Sequence, residues 1–156
     1  RKNQELLESE ELNTFDKEQL IAYYRRTQSD VDLQNALKFL CGCLKQHYHK
    51  DVILLIDEYD VPLQSAYLKG YYDEMADFLS GIFSAALKTN DALEKGILTG
   101  CLRIAKESIF TGVNNFNGYS ITEEPSSTCF GFTPEETLKL LEYYHLKSYE
   151  QTVKEW

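Results

Sequence analysis

An α/β fold with a parallel sheet, incomplete in this chain, is the prediction of the sequence, and three observations carry it. Val52 to Ile56 is an uninterrupted aliphatic run, the text of a strand in a parallel sheet covered on both faces. A helical period fills the stretch from about Tyr71 to Lys88. A second short apolar run follows at Gly96-Ile97-Leu98-Thr99-Gly100. A strand–helix–strand unit of this length implies a right-handed parallel crossover, with both strand tips on one edge of the sheet. Open α/β sheets bind their ligands at that edge.

The elements follow in chain order. Residues 1–15 are rich in Glu, Leu and Asn without a strong period, a frayed helix or a linker. Phe15 to Arg26 reads as a short helix bearing Leu20, Ile21 and Tyr24. Ser29 is an N-cap candidate, and the acids Asp30 and Asp32 suit a helix N-terminus. Leu33, Leu37, Leu40 and Leu44 then make one helical face, and Lys45, His47, His49 and Lys50 sit near its C-terminal end. The strand at Val52–Ile56 cannot run past Pro62.

In the helix that follows, Tyr71, Met75, Phe78, Ile82 and Phe83 share a face, with Leu79 and Ala86 beside it, and Asn90-Asp91 ends it. After the second strand, Asn114-Asn115-Phe116-Asn117-Gly118 and Glu123-Glu124-Pro125-Ser126-Ser127 are turn compositions. Thr133-Pro134-Glu135-Glu136 opens a last helix as a capping box with Pro at the first helical position, and Leu138, Leu141 and Leu146 are its inward residues. These elements divide the chain into an N-terminal helical or linker segment at 1–28, a partial core at 29–122 and a C-terminal loop and helical start at 123–156.

Composition narrows the function. With 156 residues, 43% hydrophobic and 13% aromatic, the chain can bury a sizeable core. A net charge of -9 without a Lys/Arg cluster disfavours direct nucleic-acid binding. No apolar run approaches a membrane span, and the charged start Arg1-Lys2-Asn3-Gln4-Glu5 is no secretory signal. Of the four cysteines, Cys41 and Cys43 have one residue between them, too few for paired zinc ligands, and Cys101 and Cys129 stand alone. Reduced thiols in a cytoplasmic protein is the reading that follows.

The chemistry lies at the end of the first strand. Asp57-Glu58 places two carboxylates at a strand tip, the arrangement of a Walker B element. Magnesium takes few carboxylates and keeps many waters, so an Asp here can support it. The Glu that follows can polarise an attacking water as general base. Thr99 ends the neighbouring strand, and a hydroxyl there can position that water or bond a phosphate. A Thr selected for strand propensity would look the same.

The segment Ile53-Leu54-Leu55-Ile56-Asp57-Glu58-Tyr59-Asp60-Val61-Pro62-Leu63 resembles the predicted AAA-ATPase-like family of the P-loop NTPase superfamily. So do Leu98-Thr99-Gly100-Cys101-Leu102-Arg103-Ile104-Ala105-Lys106-Glu107-Ser108-Ile109-Phe110, Gly112-Val113-Asn114-Asn115 and Phe130-Gly131-Phe132-Thr133-Pro134-Glu135-Glu136, over about residues 30–145. The resemblance implies a three-layer P-loop sheet, ATP and Mg2+. It makes Asp57 the magnesium-supporting residue, Glu58 the catalytic Glu and Thr99 the sensor. Asp60 and Arg103 lie in the matching blocks as candidates for the nucleotide side, and Lys106 lies near Arg103. In such proteins a restriction-endonuclease-like domain often follows the ATPase.

One departure is large. None of the eight glycines begins or closes a Gly-x-x-x-x-Gly-Lys-Ser/Thr loop, so the phosphate cradle and its Lys are missing. In the family that loop lies upstream of the residue matching Arg1. The expectation is a fragment of an ATP-hydrolysing protein that carries the carboxylates and binds ATP weakly alone. The strand expected to pair beside the sensor strand is missing too, which leaves Ile97–Thr99 an open edge suited to self-association. A non-catalytic protein-interaction module on the same scaffold is the alternative. A nuclease is a third reading, but no Asp…Glu-x-Lys arrangement at strand positions supports it.

Overall fold

The computed structural model describes residues 4–101, 109–110, 117–120, 128–129 and 131–155, and they divide into two compact units, Arg1–Asn115 and Phe116–Trp156. In the first unit the order is α1 (Gln4–Glu8), α2 (Thr14–Arg25), α3 (Asp30–Tyr48), β1 (Val52–Ile56), α4 (Val61–Lys69), α5 (Tyr72–Phe83), a π-turn (Ser84–Lys88) and β2 (Leu93–Leu98).

Local chemistry sets the helix starts. Asn13 caps α2 by accepting from the Asp16 amide at 2.9 Å, and Arg26 closes the helix in the left-handed conformation. Ser29 and Asp32 form a capping box at the start of α3. The N-terminal segment is helical and tied down. Leu6 and Leu12 are buried with Cys43, and Leu20, Phe39, Leu40 and Leu44 pack against them. The deepest residues of α3 are thus Cys41 and Cys43, whereas Leu33 is partly exposed. All four cysteines are free thiols, with Cys41 and Cys43 buried. Burial, followed by the negative charge of Asp16, pushes the Cys43 thiol up to about 11.

β1 and β2 pair in parallel, with Ile56 opposite Leu98. Their order is β1–β2, and α4, α5 and the π-turn make the crossover between them. At its start the ladder is fixed by Val52 N–H to the Ala92 carbonyl at 2.8 Å, and at its end by Thr99 N–H to the Ile56 carbonyl at 2.9 Å. β2 begins earlier than the apolar text suggests because Leu93–Lys95 already lies beside Val52 and Ile53.

The expectation that β1 is covered on both faces is corrected. Ile53 is 55% and Leu55 71% exposed, whereas Val52, Leu54 and Ile56 are half-buried. Ile97, opposite Leu55, lies on the exposed side as well. Among the described residues the sheet has two strands and its coverage is one-sided, and an all-aliphatic run reads the same with one face packed or two.

The expected helix over Tyr71–Lys88 is α5 plus the π-turn. Ala76, Leu79, Phe83 and Ala86 are its buried residues; Met75, Phe78 and Ile82 are half-buried and Tyr71 lies at the partly exposed rim. α5 runs close to α3 at Gly81, where a Cβ would collide with the Gln34 side chain. Asn90 terminates the turn by donating to the Ala86 carbonyl at 3.0 Å.

α4 is not expected from the sequence, where Pro62 reads as a strand stop. Pro62 occupies the first turn of this helix and Gly70, at φ 81°, closes it. That pairing of Pro at the start with Gly past the end was the available signal.

The second unit contains α6 (Pro134–Tyr143), a single 3-10 turn (Lys147–Tyr149) and α7 (Glu150–Glu155). Thr133 and Glu136 form the expected capping box. Leu138 and Leu141 are half-buried, but Leu146 is 45% exposed. The reason is the turn after α6, where His145 takes φ 58° and Leu146 N–H closes onto the Leu141 carbonyl.

Candidate functional site

The site is built where the two parallel strands end. Side chains alternate along a strand, so Asp57 continues the exposed series of Ile53 and Leu55, and Thr99 that of Lys95 and Ile97. Both residues are exposed, and the Thr99 hydroxyl donates to Asp57 Oδ1. The backbone ladder holds this pairing, since Thr99 N–H donates to Ile56 and Tyr59 N–H returns to the Thr99 carbonyl at 3.1 Å. The tip of β1 thus wraps around Thr99 from both sides.

Glu58 leaves the strand pleat. It adopts φ 53°, a left-handed conformation unusual for a non-glycine residue, and its amide donates to Asp57 Oδ1 at 3.0 Å. Its side chain is exposed. Strained backbone of this kind is concentrated at functional sites.

Asp60 behaves differently from its acidic neighbours. It is 1% exposed. Its Oδ2 accepts from Gln64 Nε2 at 2.8 Å and its Oδ1 from the Cys101 amide at 3.3 Å. Gly100 lies directly over it, and a Cβ there would fall 2.7 Å from Asp60 Oδ1 and 2.8 Å from the Tyr59 ring. Tyr59 in turn meets Phe110 edge-on at 5.5 Å between centroids, and Phe110 stacks on Phe83 at 5.5 Å. Aromatic pairs of this kind add about 0.5–1.5 kcal/mol beyond area burial. An aromatic cluster therefore joins α5 to the β1–α4 loop.

The structure thus brings Asp57, Glu58, Asp60 and Thr99 to one end of the sheet. Arg103 and Lys106, with Gly112-Val113-Asn114-Asn115, lie outside the described residues. Sequence reasoning missed Tyr59, Gln64 and Gly100; only the glycine offered a signal, as a backbone position that needs close approach.

The described donors suit a hard cation. Asp57 is a single exposed carboxylate with a hydroxyl at its side. Among the described residues no group of three or more His, Cys, Asp or Glu could cage a metal. Magnesium, which takes few protein ligands and keeps waters and phosphate oxygens, fits the described donors. No helix among the described residues is long and apolar enough to cross a membrane.

Residues 1–110, which contain both strands and the whole described site, match the family described as predicted AAA-ATPase. The chain belongs to the predicted AAA-ATPase family. A second relationship joins this AAA-ATPase-like chain to a protein of Azotobacter chroococcum mcd 1 described as an uncharacterized protein in the vnfD 5′ region. The two are 30% identical over 83 residues, which is 53% of this chain and 16% of that protein. The AAA-ATPase-like chain thus matches less than a fifth of that relative's length. No solved structure matches the chain.

Proposed function

We propose that this chain supplies the hydrolytic half of an ATP-binding, ATP-hydrolysing site. The observation that carries the reading is the juxtaposition of Asp57 and Thr99 at the tips of two parallel strands, inside the region matched by the AAA-ATPase family. Family membership is consistent with nucleotide and Mg2+ dependence.

Bound Mg2+ would supply charge neutralisation of the β- and γ-phosphate oxygens. Asp57 would hold it, through oxygens at the open end of the sheet. Glu58, turned out of the strand by its left-handed backbone, would accept a proton from the attacking water. Thr99 would orient Asp57 through its hydroxyl and, when released from it, would donate to water or phosphate. The phosphate cradle would come from sequence outside this chain, so the isolated chain would bind ATP weakly.

The test is steady-state Mg-ATP hydrolysis by the full-length protein. Glu58→Gln is expected to lower kcat by about 10²–10⁴-fold, the usual worth of a general base, with nucleotide binding retained. Asp57→Asn is expected to raise the Mg2+ concentration needed for half-maximal rate. Native rates in both variants would refute the hydrolytic reading and favour an interaction module on the same scaffold.

A further inference from the structure

We infer that Asp60 is a positioning residue, a latch that holds the exit of β2 against the β1–α4 loop and so keeps Thr99 beside Asp57. The inference rests on the proposed reading of Asp57 and Thr99 as the hydrolytic pair.

The argument starts from burial. Asp57 and Glu58 are exposed, and Asp60 is 1% exposed. A buried carboxylate is costly unless donors satisfy it, and each Asp60 oxygen accepts a hydrogen bond. Those donors belong to different parts of the chain. Gln64 lies one turn further along α4, and the Cys101 amide lies just past β2. The Asp60 carbonyl also accepts from the Gln64 amide at 3.0 Å, which fixes Asp60 to the first turn of α4. The carboxylate is thus anchored on a helix and reaches across to the neighbouring strand.

The grip is continuous with the site. Tyr59 N–H holds the Thr99 carbonyl, and Asp60 Oδ1 holds the Cys101 amide, so two successive residues of the loop grasp the segment 99–101 on either side of Gly100. Only a residue without a Cβ lets that segment lie so close. Release of the Cys101 amide would free the β2 exit at the point where Thr99 is aimed at Asp57. A nucleotide or metal ligand would need an accessible oxygen, which the burial of Asp60 does not offer.

Two variants of the full-length protein separate the roles. Asn keeps an acceptor for the Cys101 amide and discards the charge; Ala discards both. Asp60→Ala is expected to speed amide exchange at Cys101 by about tenfold, the worth of one charge-assisted hydrogen bond. It is also expected to lower kcat for Mg-ATP at unchanged KM. Asp60→Asn is expected to restore both quantities to within about threefold of wild type.

Cys101 exchange unchanged in Asp60→Ala would overturn the latch. A dead Asp60→Asn with native Cys101 exchange would overturn it too, since the charge itself would then be the working feature. Should Asp60→Ala fail to fold, Asp60→Asn decides alone: native exchange with native kcat supports the latch. If the wild-type protein proves unable to hydrolyse ATP, the functional reading fails, and the Cys101 exchange arm still decides whether Asp60 holds the β2 exit.

Discussion

Thr99 donates its hydroxyl hydrogen to Asp57 across the junction of the two parallel strands. The two residues are 42 positions apart in the chain and meet because Ile56 is in register with Leu98. That bond makes the first prediction. Thr99→Val keeps the β-branched shape and removes the donor, and is expected to lower Mg-ATP turnover at least about tenfold in the full-length protein. Thr99→Ser keeps the hydroxyl and is expected to retain most of the rate. Equal rates in the two variants would remove Thr99 from the site.

Glu58 separates activity from stability. Its φ of 53° costs an L-residue about 1–2 kcal/mol, a penalty that glycine does not carry. Glu58→Gly is therefore expected to hold or raise the unfolding free energy measured by urea titration, by up to about 1 kcal/mol, because the looser unfolded chain offsets part of the relief. ATP hydrolysis should be lost at the same time. A clear loss of stability would mean that the Glu58 side chain contributes to the fold.

Gly100 is expected to be intolerant of a methyl group. An added Cβ would meet Asp60 Oδ1 and the Tyr59 ring at under 3 Å, and overpacking of this kind costs about 1–3 kcal/mol. Gly42 provides the control, since a Cβ there has open space and lies within α3. Gly42→Ala should be neutral or stabilising by about 0.5–1 kcal/mol. Urea unfolding of both variants checks the contrast.

The N-terminal helices are integral to the first unit. Leu12 is 4% exposed and lies against Leu6 and Cys43. Leu12→Ala is expected to cost about 2–5 kcal/mol through lost burial and a residual cavity. Phe15, 70% exposed three residues later, is expected to change stability by less than about 0.5 kcal/mol when replaced by Ala. Matching losses in both would show that α1 and α2 are held by something other than this cluster.

Glu136 should make the start of α6 sensitive to acid. The Thr133 amide donates to its carboxylate at 2.8 Å; that bond, then the Thr133 hydroxyl and the charge of Lys139, hold Glu136 below the usual range. A depressed folded pKa means that the stabilising contribution is present above the unfolded value of about 4.3 and is lost as pH falls through the folded value. The Thr133 amide resonance is expected to titrate with a midpoint below that ordinary value. Glu136→Gln should abolish the titration, and an unshifted midpoint in the wild type would argue against the capping box in solution.

Elements written in adjacent residues were legible in the sequence. The capping boxes at Ser29 and Thr133 are local hydrogen-bond patterns, and the aliphatic run of β1 ends on Asp57 and Glu58 within the same few residues. A crossover helix between two apolar runs also implied parallel pairing, because the handedness of the chain leaves few other routes. Tertiary structure decided which face of β1 stays exposed, and that Asp60 is buried while Asp57 and Glu58 are not. It also decided that Gly100 must lack a side chain and that Tyr59 rests on Phe110 and Phe83. Each of these depends on atoms brought together from distant parts of the chain. An Asp that will be gripped by a remote amide has the same local text as one that will face solvent, so only the folded packing distinguishes Asp60 from Asp57.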